Sequence, residues 1–114
     1  MSAGPYVPQR GDLVWIDFDP QAGHEQAGRR PALVLSPGSY NRATRLALLC
    51  PVTSRVKGYT FEVAVTGTKR VTGVLLADQV KSLDWSKRNI AFIEHCDPDL
   101  VEDVLARLAT LTEF

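Results

Sequence analysis

The sequence predicts a mainly β domain with one long C-terminal helix, and three patterns support this prediction. Short apolar runs recur along the chain up to residue 93, separated by glycine and proline. The most apolar of them, residues 46–53, predicts a central strand. After residue 97 the apolar residues change to three- and four-residue spacing, which is typical of a helix buried on one face. Five to seven closely spaced short strands favour a small antiparallel barrel.

The first strand is predicted over residues 13–18. Pro20 ends it, because proline cannot donate to a sheet ladder and holds the preceding residue extended. Residues 19–30 then form a loop whose two glycines predict a mobile flap. The second strand begins at Pro31 and ends before the Pro-Gly pair at 37–38.

The central strand is preceded by one helical turn, predicted within residues 39–45, and followed by a Lys-Gly turn at 57–58. Alternating or short apolar runs predict the remaining strands, which cover residues 60–65, 73–77, 80–83 and 90–93.

The C-terminal helix has a clear start, because Asp97 is suited to the N-cap and Pro98 to the first helical position. Its apolar residues fall along one face, namely Leu100, Val101, Val104, Leu105, Leu108 and Leu111. This face is expected to pack on the barrel or, in part, on a second copy of the chain.

Length and composition predict a single domain over residues 1–114, with residues 1–8 as a loose lead-in. The hydrophobic content of 45% and the charged content of 23% are ordinary for a globular protein. No apolar run approaches the ~20 residues that span a bilayer, and the N-terminus lacks a secretion signal, so a cytoplasmic location is expected. Cys50 and Cys96 stand alone in apolar runs and are interpreted as buried hydrophobic residues, not as a disulfide.

The net charge is zero, which argues against a general nucleic-acid binder. The charges are unevenly distributed, however. Residues 1–70 carry nine basic and five acidic side chains, whereas residues 71–114 carry four basic and eight acidic ones. A basic half of this kind can form a phosphate-binding face.

The loop before the second strand ends in the sequence EQAGRRP, residues 25–31. Arginine presents a rigid, charged fork that matches phosphate oxygens, so two adjacent arginines at the entrance of a strand suggest phosphate recognition. A solvated loop with a surface Glu–Arg pair is the alternative interpretation.

Two further polar clusters follow predicted strands. Thr53, Ser54 and Arg55 end the central strand, where hydroxyl groups on a rigid support can hydrogen-bond a phosphate oxygen. Asp78 and Gln79 follow a later strand, and their carboxylate and amide groups can read base edges. Ordinary strand-to-turn transitions are the alternative for both clusters.

Several familiar sites are missing from the sequence, which has no P-loop, no dinucleotide-binding fingerprint and no nucleophile elbow. Neither His24 nor His95 has a second ligand at a metal-binding spacing, so neither a metal nor a cofactor is expected. The two histidines could act as the acid and base of a ribonuclease, but nothing in the sequence brings them together. Ordinary loop and strand positions are the alternative for them.

Short motifs follow one another in order along the chain. They are GDLVWIDFDP from residue 11, EQAGRRPALVLSP from residue 25, YN at 40–41, PVT at 51–53, KGY at 57–59, FEV at 61–63 and ADQVKS from residue 77. Each motif is weak alone, whereas the ordered series is specific. The series resembles the MazF/PemK toxin family over nearly the whole chain, from Tyr6 to Leu111.

The resemblance implies a bacterial toxin that cuts single-stranded RNA at short sequences, without a metal and without the ribosome. It also implies an SH3-like barrel with helices, assembled as a homodimer whose RNA groove is occupied by the tail of a cognate MazE-like antitoxin. The implied reaction is attack of an RNA 2′-hydroxyl on the adjacent phosphorus, which leaves a 2′,3′-cyclic phosphate and a 5′-hydroxyl.

The family's functional residues can be carried over by motif. Its arginine before the proline of the second strand falls on Arg30, its threonine after the proline of the central strand on Thr53, and its loop glutamate on Glu25. RNA contacts are expected from six further residues, namely Phe18, Arg29, Asn41, Ser54, Lys57 and Gln79.

Arg30 is expected to stabilise negative charge rather than to act as the general base. Removing a proton from a group with a pKa above 12 at pH 7 costs at least ~7 kcal/mol. Thr53 is expected to hold a phosphate oxygen, and Glu25 to act as the base or to orient the arginine. His24 is interpreted as a surface residue.

Two other functions stay open at this point. A gyrase-poisoning toxin with the same fold would use a Trp-bearing C-terminal tip, whereas this chain ends in TLTEF and its last tryptophan is Trp85. An inactive member that only binds RNA or an antitoxin is the second alternative, and the presence of both Arg30 and Thr53 argues against it.

Overall fold

Seven strands and two α-helices are found in the computed structural model, which describes residues 5–18 and 28–113. The strands are β1 (Asp12–Phe18), β2 (Gly28–Val34), β3 (Leu46–Thr53), β4 (Glu62–Ala64), β5 (Val74–Leu76), β6 (Lys81–Asp84) and β7 (Ala91–His95). The helices are α1 (Gly38–Thr44) and α2 (Pro98–Thr112), and short 3-10 turns cover Ala77–Gln79 and Trp85–Lys87. The predicted order of strands and helices is confirmed.

The strands pair antiparallel in the order β4-β5-β3-β2-β1-β7, and β6 pairs with β3 outside this path. The prediction that β3 is central is confirmed, because it pairs with β2, β5 and β6. Within the described residues the two ends of the path, β4 and β7, are not paired with each other. The architecture is therefore an open, barrel-like antiparallel sheet with a C-terminal helix.

Apolar side chains cover both faces of this sheet. In β1, Leu13 and Val14 point to opposite faces by strand alternation, and both are fully buried. Leu13 belongs to a cluster that includes the buried residues of α2, whereas Val14 belongs to a second cluster that includes Trp85. Because both faces are buried, the register of the central strands is strongly specified.

Helix α2 begins at Pro98 as predicted, with Asp97 at the N-cap position. The Asp97 side chain makes no capping hydrogen bond, although its carbonyl accepts from the Leu100 amide at 3.1 Å. The predicted apolar face is covered unevenly. Val104 is fully buried and Leu105 is half-buried against the core, whereas Leu111 at the end of the helix is exposed.

The prediction that residues 1–8 form a loose lead-in is wrong for the last three of them. The Tyr6 hydroxyl donates to the Asp12 carboxylate, and its ring packs against Phe92 with the centroids 5.9 Å apart. Pro8 is fully buried, and its carbonyl accepts from the Asn41 amide at 2.8 Å. The polar groups of this segment thus have partners on β1 and α1, which hold it against the rest of the fold.

The cysteine prediction is confirmed, because Cys50 and Cys96 are both buried and unpaired. Within residues 5–18 and 28–113, no helix is both long and apolar enough to cross a membrane.

Replacement of Leu105 by aspartate is expected to destabilise the protein, because it places a charge against the apolar core. We expect a loss of about 2 kcal/mol or more, seen as a drop of roughly 5–10 °C in Tm. The matched control is Ala106→Asp, which adds the same charge at the neighbouring exposed position. Equal melting temperatures for the two variants would show that Leu105 does not contribute to the core.

Candidate functional site

Arg30 reaches from β2 to the end of β3. Its guanidinium Nη1 donates to the carbonyl of Val52 at 3.3 Å, so it lies beside the residue that precedes Thr53. The strands pair with Ala32 opposite Pro51, and the same register continued by two residues places Arg30 opposite Thr53. Opposed residues of an antiparallel pair share a face of the sheet. The structure therefore brings these two predicted residues to one place.

The environment of Arg30 suits its guanidinium to stabilise a nearby negative charge. Its side chain is half-buried, and this burial lowers the pKa of the guanidinium below its ordinary value. The ordinary value lies so far above neutral pH that the group stays charged. A charge that is partly removed from water acts more strongly on a nearby anion than a fully solvated one.

Thr53 sits at the last position of β3, and only 8% of its surface is exposed. Its hydroxyl oxygen accepts from the Arg55 amide at 3.2 Å, which fixes the oxygen and leaves its hydrogen to donate to a ligand. On its other edge, β3 pairs with β5 through Thr53 and Val74. The hydroxyl is therefore held on a rigid strand rather than on a loop.

Gly73 is a supporting residue that sequence reasoning missed. Its φ is +119°, and a Cβ there would lie 2.3 Å from the carbonyl oxygen of Thr53. Only glycine allows β5 to approach the end of β3 so closely. A glycine at the first position of a predicted strand was the available signal, but it does not say which backbone lies near.

The segment after Thr53, residues 54–61, is the linker to β4, and its exposed part, residues 54–60, carries the predicted residues Ser54 and Lys57. The Glu62 carboxylate accepts from the backbone amides of Lys57 and Gly58, at 3.0 and 2.8 Å. The linker is thus fixed to the start of β4, and it places both predicted residues close to Thr53 along the chain.

Gln79 lies in the 3-10 turn that follows β5, and it is half-buried. The first residue of that turn, Ala77, donates its amide to the carbonyl of Phe61 at 2.9 Å. The hydroxyl of Tyr59 also donates to the Asp78 carboxylate at 2.5 Å. The linker and the turn are therefore joined through Tyr59 and Phe61, next to Gln79. Because β5 runs antiparallel to β3 with Val74 opposite Thr53, this turn lies away from the end of β3 that carries Ser54.

Arg29 does not lie beside Arg30 and Thr53. It pairs with Asp17 on β1 at 3.3 Å and donates to the carbonyl of Asn89 at 2.6 Å. Adjacent residues of a strand point to opposite faces, so Arg29 and Arg30 separate. An exposed ion pair of this kind contributes little to stability.

Two predicted RNA contacts are wrong. Phe18 is 3% exposed and packs in the cluster that contains Trp85, so its ring has no surface to offer a base. Asn41 is fully buried in α1. Its amide donates to the carbonyls of Pro8 and Ser36 and accepts from the Ser36 hydroxyl at 2.6 Å, which makes it a structural residue.

The remaining predicted groups do not join the site. Glu25 and His24 lie outside the described residues. His95 is held at the start of β1, where its Nδ1 lies 2.9 Å from the Asp12 carboxylate. That position is four residues along β1 from Ile16, the cross-strand partner of Arg30. In the described part of the chain, no three His, Cys, Asp or Glu side chains are placed to hold a metal ion.

Residues 9–112 match the family of PemK-like, MazF-like toxins of type II toxin–antitoxin systems. Among curated proteins, the chain is 48% identical to the endoribonuclease toxin MazF of Escherichia coli K12 over 93% of this chain and 95% of that protein. It is 37% identical to the endoribonuclease PemK of Escherichia coli, over 90% of this chain and 80% of PemK.

Solved structures give the same result. The fold matches the crystal structure of MazF from Deinococcus radiodurans with a TM-score of 0.90 and 52% identity, over 95% of this chain and 98% of that one. A MazE–MazF complex from the same organism matches with a TM-score of 0.84 and 52% identity, over 95% and 97% of the two chains.

Replacement of Asn41 by alanine is expected to lower stability and to leave the site intact. The change leaves the buried carbonyls of Pro8 and Ser36 without their partner, at a cost of about 1–3 kcal/mol. Thermal unfolding of the variant measures this cost directly. Ser54→Ala, at an exposed position, is expected to leave Tm unchanged. If Asn41→Ala unfolded like the parent protein but no longer bound RNA, the structural assignment would fail.

Proposed function

Because this chain belongs to the PemK-like, MazF-like family of type II toxins, it is an endoribonuclease toxin, and we propose that Arg30 and Thr53 carry its RNA cleavage. One observation supports the assignment above all others. The Arg30 guanidinium donates to the backbone directly before Thr53, so a cation and a hydroxyl lie at one end of the sheet.

The proposed reaction needs only the RNA and these side chains. The 2′-oxygen attacks the adjacent phosphorus, the bond from phosphorus to the 5′-oxygen breaks, and a 2′,3′-cyclic phosphate and a 5′-hydroxyl result. Negative charge builds up on the non-bridging oxygens, where one preorganised donor such as Arg30 is worth about 3–4 kcal/mol. The Thr53 hydroxyl holds a phosphate oxygen in line for attack.

Two protons must move in this reaction. One leaves the 2′-hydroxyl, and Glu25, which lies outside the described residues, is the proposed base or the group that orients Arg30. The other is delivered to the departing 5′-oxygen, for which Arg30 is the proposed donor. The route uses neither a metal nor the ribosome.

The substrate is proposed to be single-stranded mRNA. The proposed location is therefore the cytoplasm, where mRNA is translated. Bases that are free of a duplex can be read on their hydrogen-bonding edges. The exposed residues Ser54 and Lys57, on the linker after β3, and the half-buried Gln79, on the turn joined to that linker, are offered as contacts. Arg29, on the other face, is offered as an electrostatic contact to the RNA backbone.

The proposed partners are a second copy of the chain, which forms the RNA groove along the interface of the two copies, and a cognate MazE-like antitoxin, whose tail occupies that groove. One solved relative is a MazE–MazF complex. The chain also has an exposed aromatic surface. Trp15 and Phe92 are both exposed, and both border a cavity of about 350 Å³. Exposed aromatic patches of this kind are typical of protein interfaces.

Replacement of Arg30 by alanine is expected to slow RNA cleavage about 100-fold or more while the fold is retained. The measurement is cleavage of a transcript pool in EDTA, with a melting curve for each variant. Arg30→Lys tests the geometry, because lysine keeps the charge but loses the bidentate fork. Arg42→Ala, an exposed arginine on α1, is the matched control.

The same assay separates the alternatives. Cleavage by the parent protein in EDTA supports the nuclease, and a folded Arg30→Ala variant with normal activity would remove the assignment of Arg30. RNA that is bound but intact would favour the inactive binding module. Intact, unbound RNA would leave the gyrase-poisoning toxin, although the last tryptophan, Trp85, is 3% exposed and therefore cannot form an exposed tip.

A further inference from the structure

We infer that the ring of Tyr59 is a stacking platform for one base of the RNA substrate, held in place by its hydrogen bond to Asp78. The inference rests on the proposed function, since it assigns a subsite beside the cleavage site. It concerns a residue that the sequence motifs include but that the proposed reaction does not use.

The exposure of Tyr59 is the first observation. The side chain lies in the linker after Thr53 and is 42% exposed. One side of the ring meets Phe61 edge-on, with centroids 6.4 Å apart, and Phe61 packs on the core. The ring is thus supported by a side chain of the core, and a substantial part of the residue's surface stays accessible.

The hydroxyl explains why the ring is rigid. It donates to the Asp78 carboxylate at 2.5 Å, and this bond raises the pKa of Tyr59 to about 12. The hydroxyl therefore stays protonated and keeps donating at any physiological pH. A ring fixed at both ends loses little entropy when a base stacks on it.

The surroundings favour a nucleobase as the occupant. The ring lies on the linker that follows Thr53. Its hydroxyl donates to Asp78, the neighbour of Gln79 in the chain. The linker carries two cations, Arg55 and Lys57, that can hold the RNA backbone. Aromatic platforms beside cationic side chains are the usual means of binding single-stranded nucleic acid.

The two nearby carboxylates already have partners within the protein. Glu62 is engaged by the backbone amides of Lys57 and Gly58, and Asp78 accepts from Tyr59 itself. Both acids therefore fix the linker and the turn in place. The phosphates of the RNA would contact Arg55 and Lys57, while one base stacks on the ring of Tyr59.

The experiment uses an RNA oligomer that carries the cleavage site mapped with the parent protein. A 2′-deoxy nucleotide on the 5′ side of the cut removes the nucleophile, so binding is measured without cleavage. Anisotropy of this RNA gives Kd for the parent protein and for Tyr59→Ala, Tyr59→Phe and Tyr40→Ala. Tyr40 is the matched control, because it is 43% exposed and lies on α1.

We expect Tyr59→Ala to weaken binding about 5- to 100-fold. Tyr59→Phe keeps the ring but loses the bond to Asp78, so its loss should be smaller. Tyr40→Ala should bind like the parent protein. Tyr59→Leu keeps the packing on Phe61 without an aromatic face, and it replaces Tyr59→Ala if the alanine variant does not fold.

Abasic substitution then separates stacking from a merely structural effect. At one position of the RNA, removal of the base should weaken binding to the parent protein but not to Tyr59→Ala, because the ring and the base act as a pair. The inference would be overturned if, at every position, the abasic substitution weakened binding by the same factor for the parent protein and for Tyr59→Ala. It would also be overturned if Tyr59→Ala bound the intact RNA like the parent protein. A parent protein that cuts no RNA at all would overturn the proposed function, and this inference with it.

Discussion

The pairing of β2 with β3 is the interaction on which the rest of the site depends. Its register places Arg30 across from the end of β3, on the same face as Thr53. A slip of one residue would turn Arg30 to the other face of the sheet, where Arg29 now meets Asp17. Burial of both faces makes such a slip costly, so the hydrophobic clusters hold the proposed chemistry in place.

Much of this arrangement could be predicted from local patterns. Apolar runs with proline and glycine between them predicted the succession of strands along the chain, and the most apolar run was the central strand. Arg30 directly precedes Pro31 and Thr53 follows Pro51 by two residues, which made both recognisable by motif. Their proximity in space follows from the pairing of the two strands.

The incorrect and missed predictions concern residues whose environment is set by contacts between distant parts of the chain. Asn41 lies in a polar stretch that looks exposed, but its amide is saturated by groups that include the distant carbonyl of Pro8. Phe18 ends a strand beside a loop, yet it belongs to the core. Gly73 matters only because the backbone of Thr53 passes close to it. Nothing in the spacing of a sequence reports contacts of this kind.

The most direct test of shared action by Arg30 and Thr53 uses the scissile phosphate itself. Each of its two non-bridging oxygens is replaced in turn by sulfur, and cleavage rates of the two stereoisomers are measured for the parent protein, Arg30→Ala and Thr53→Val. If both side chains hold those oxygens, each variant should change the ratio of the two rates. An unchanged ratio in both variants would contradict the account.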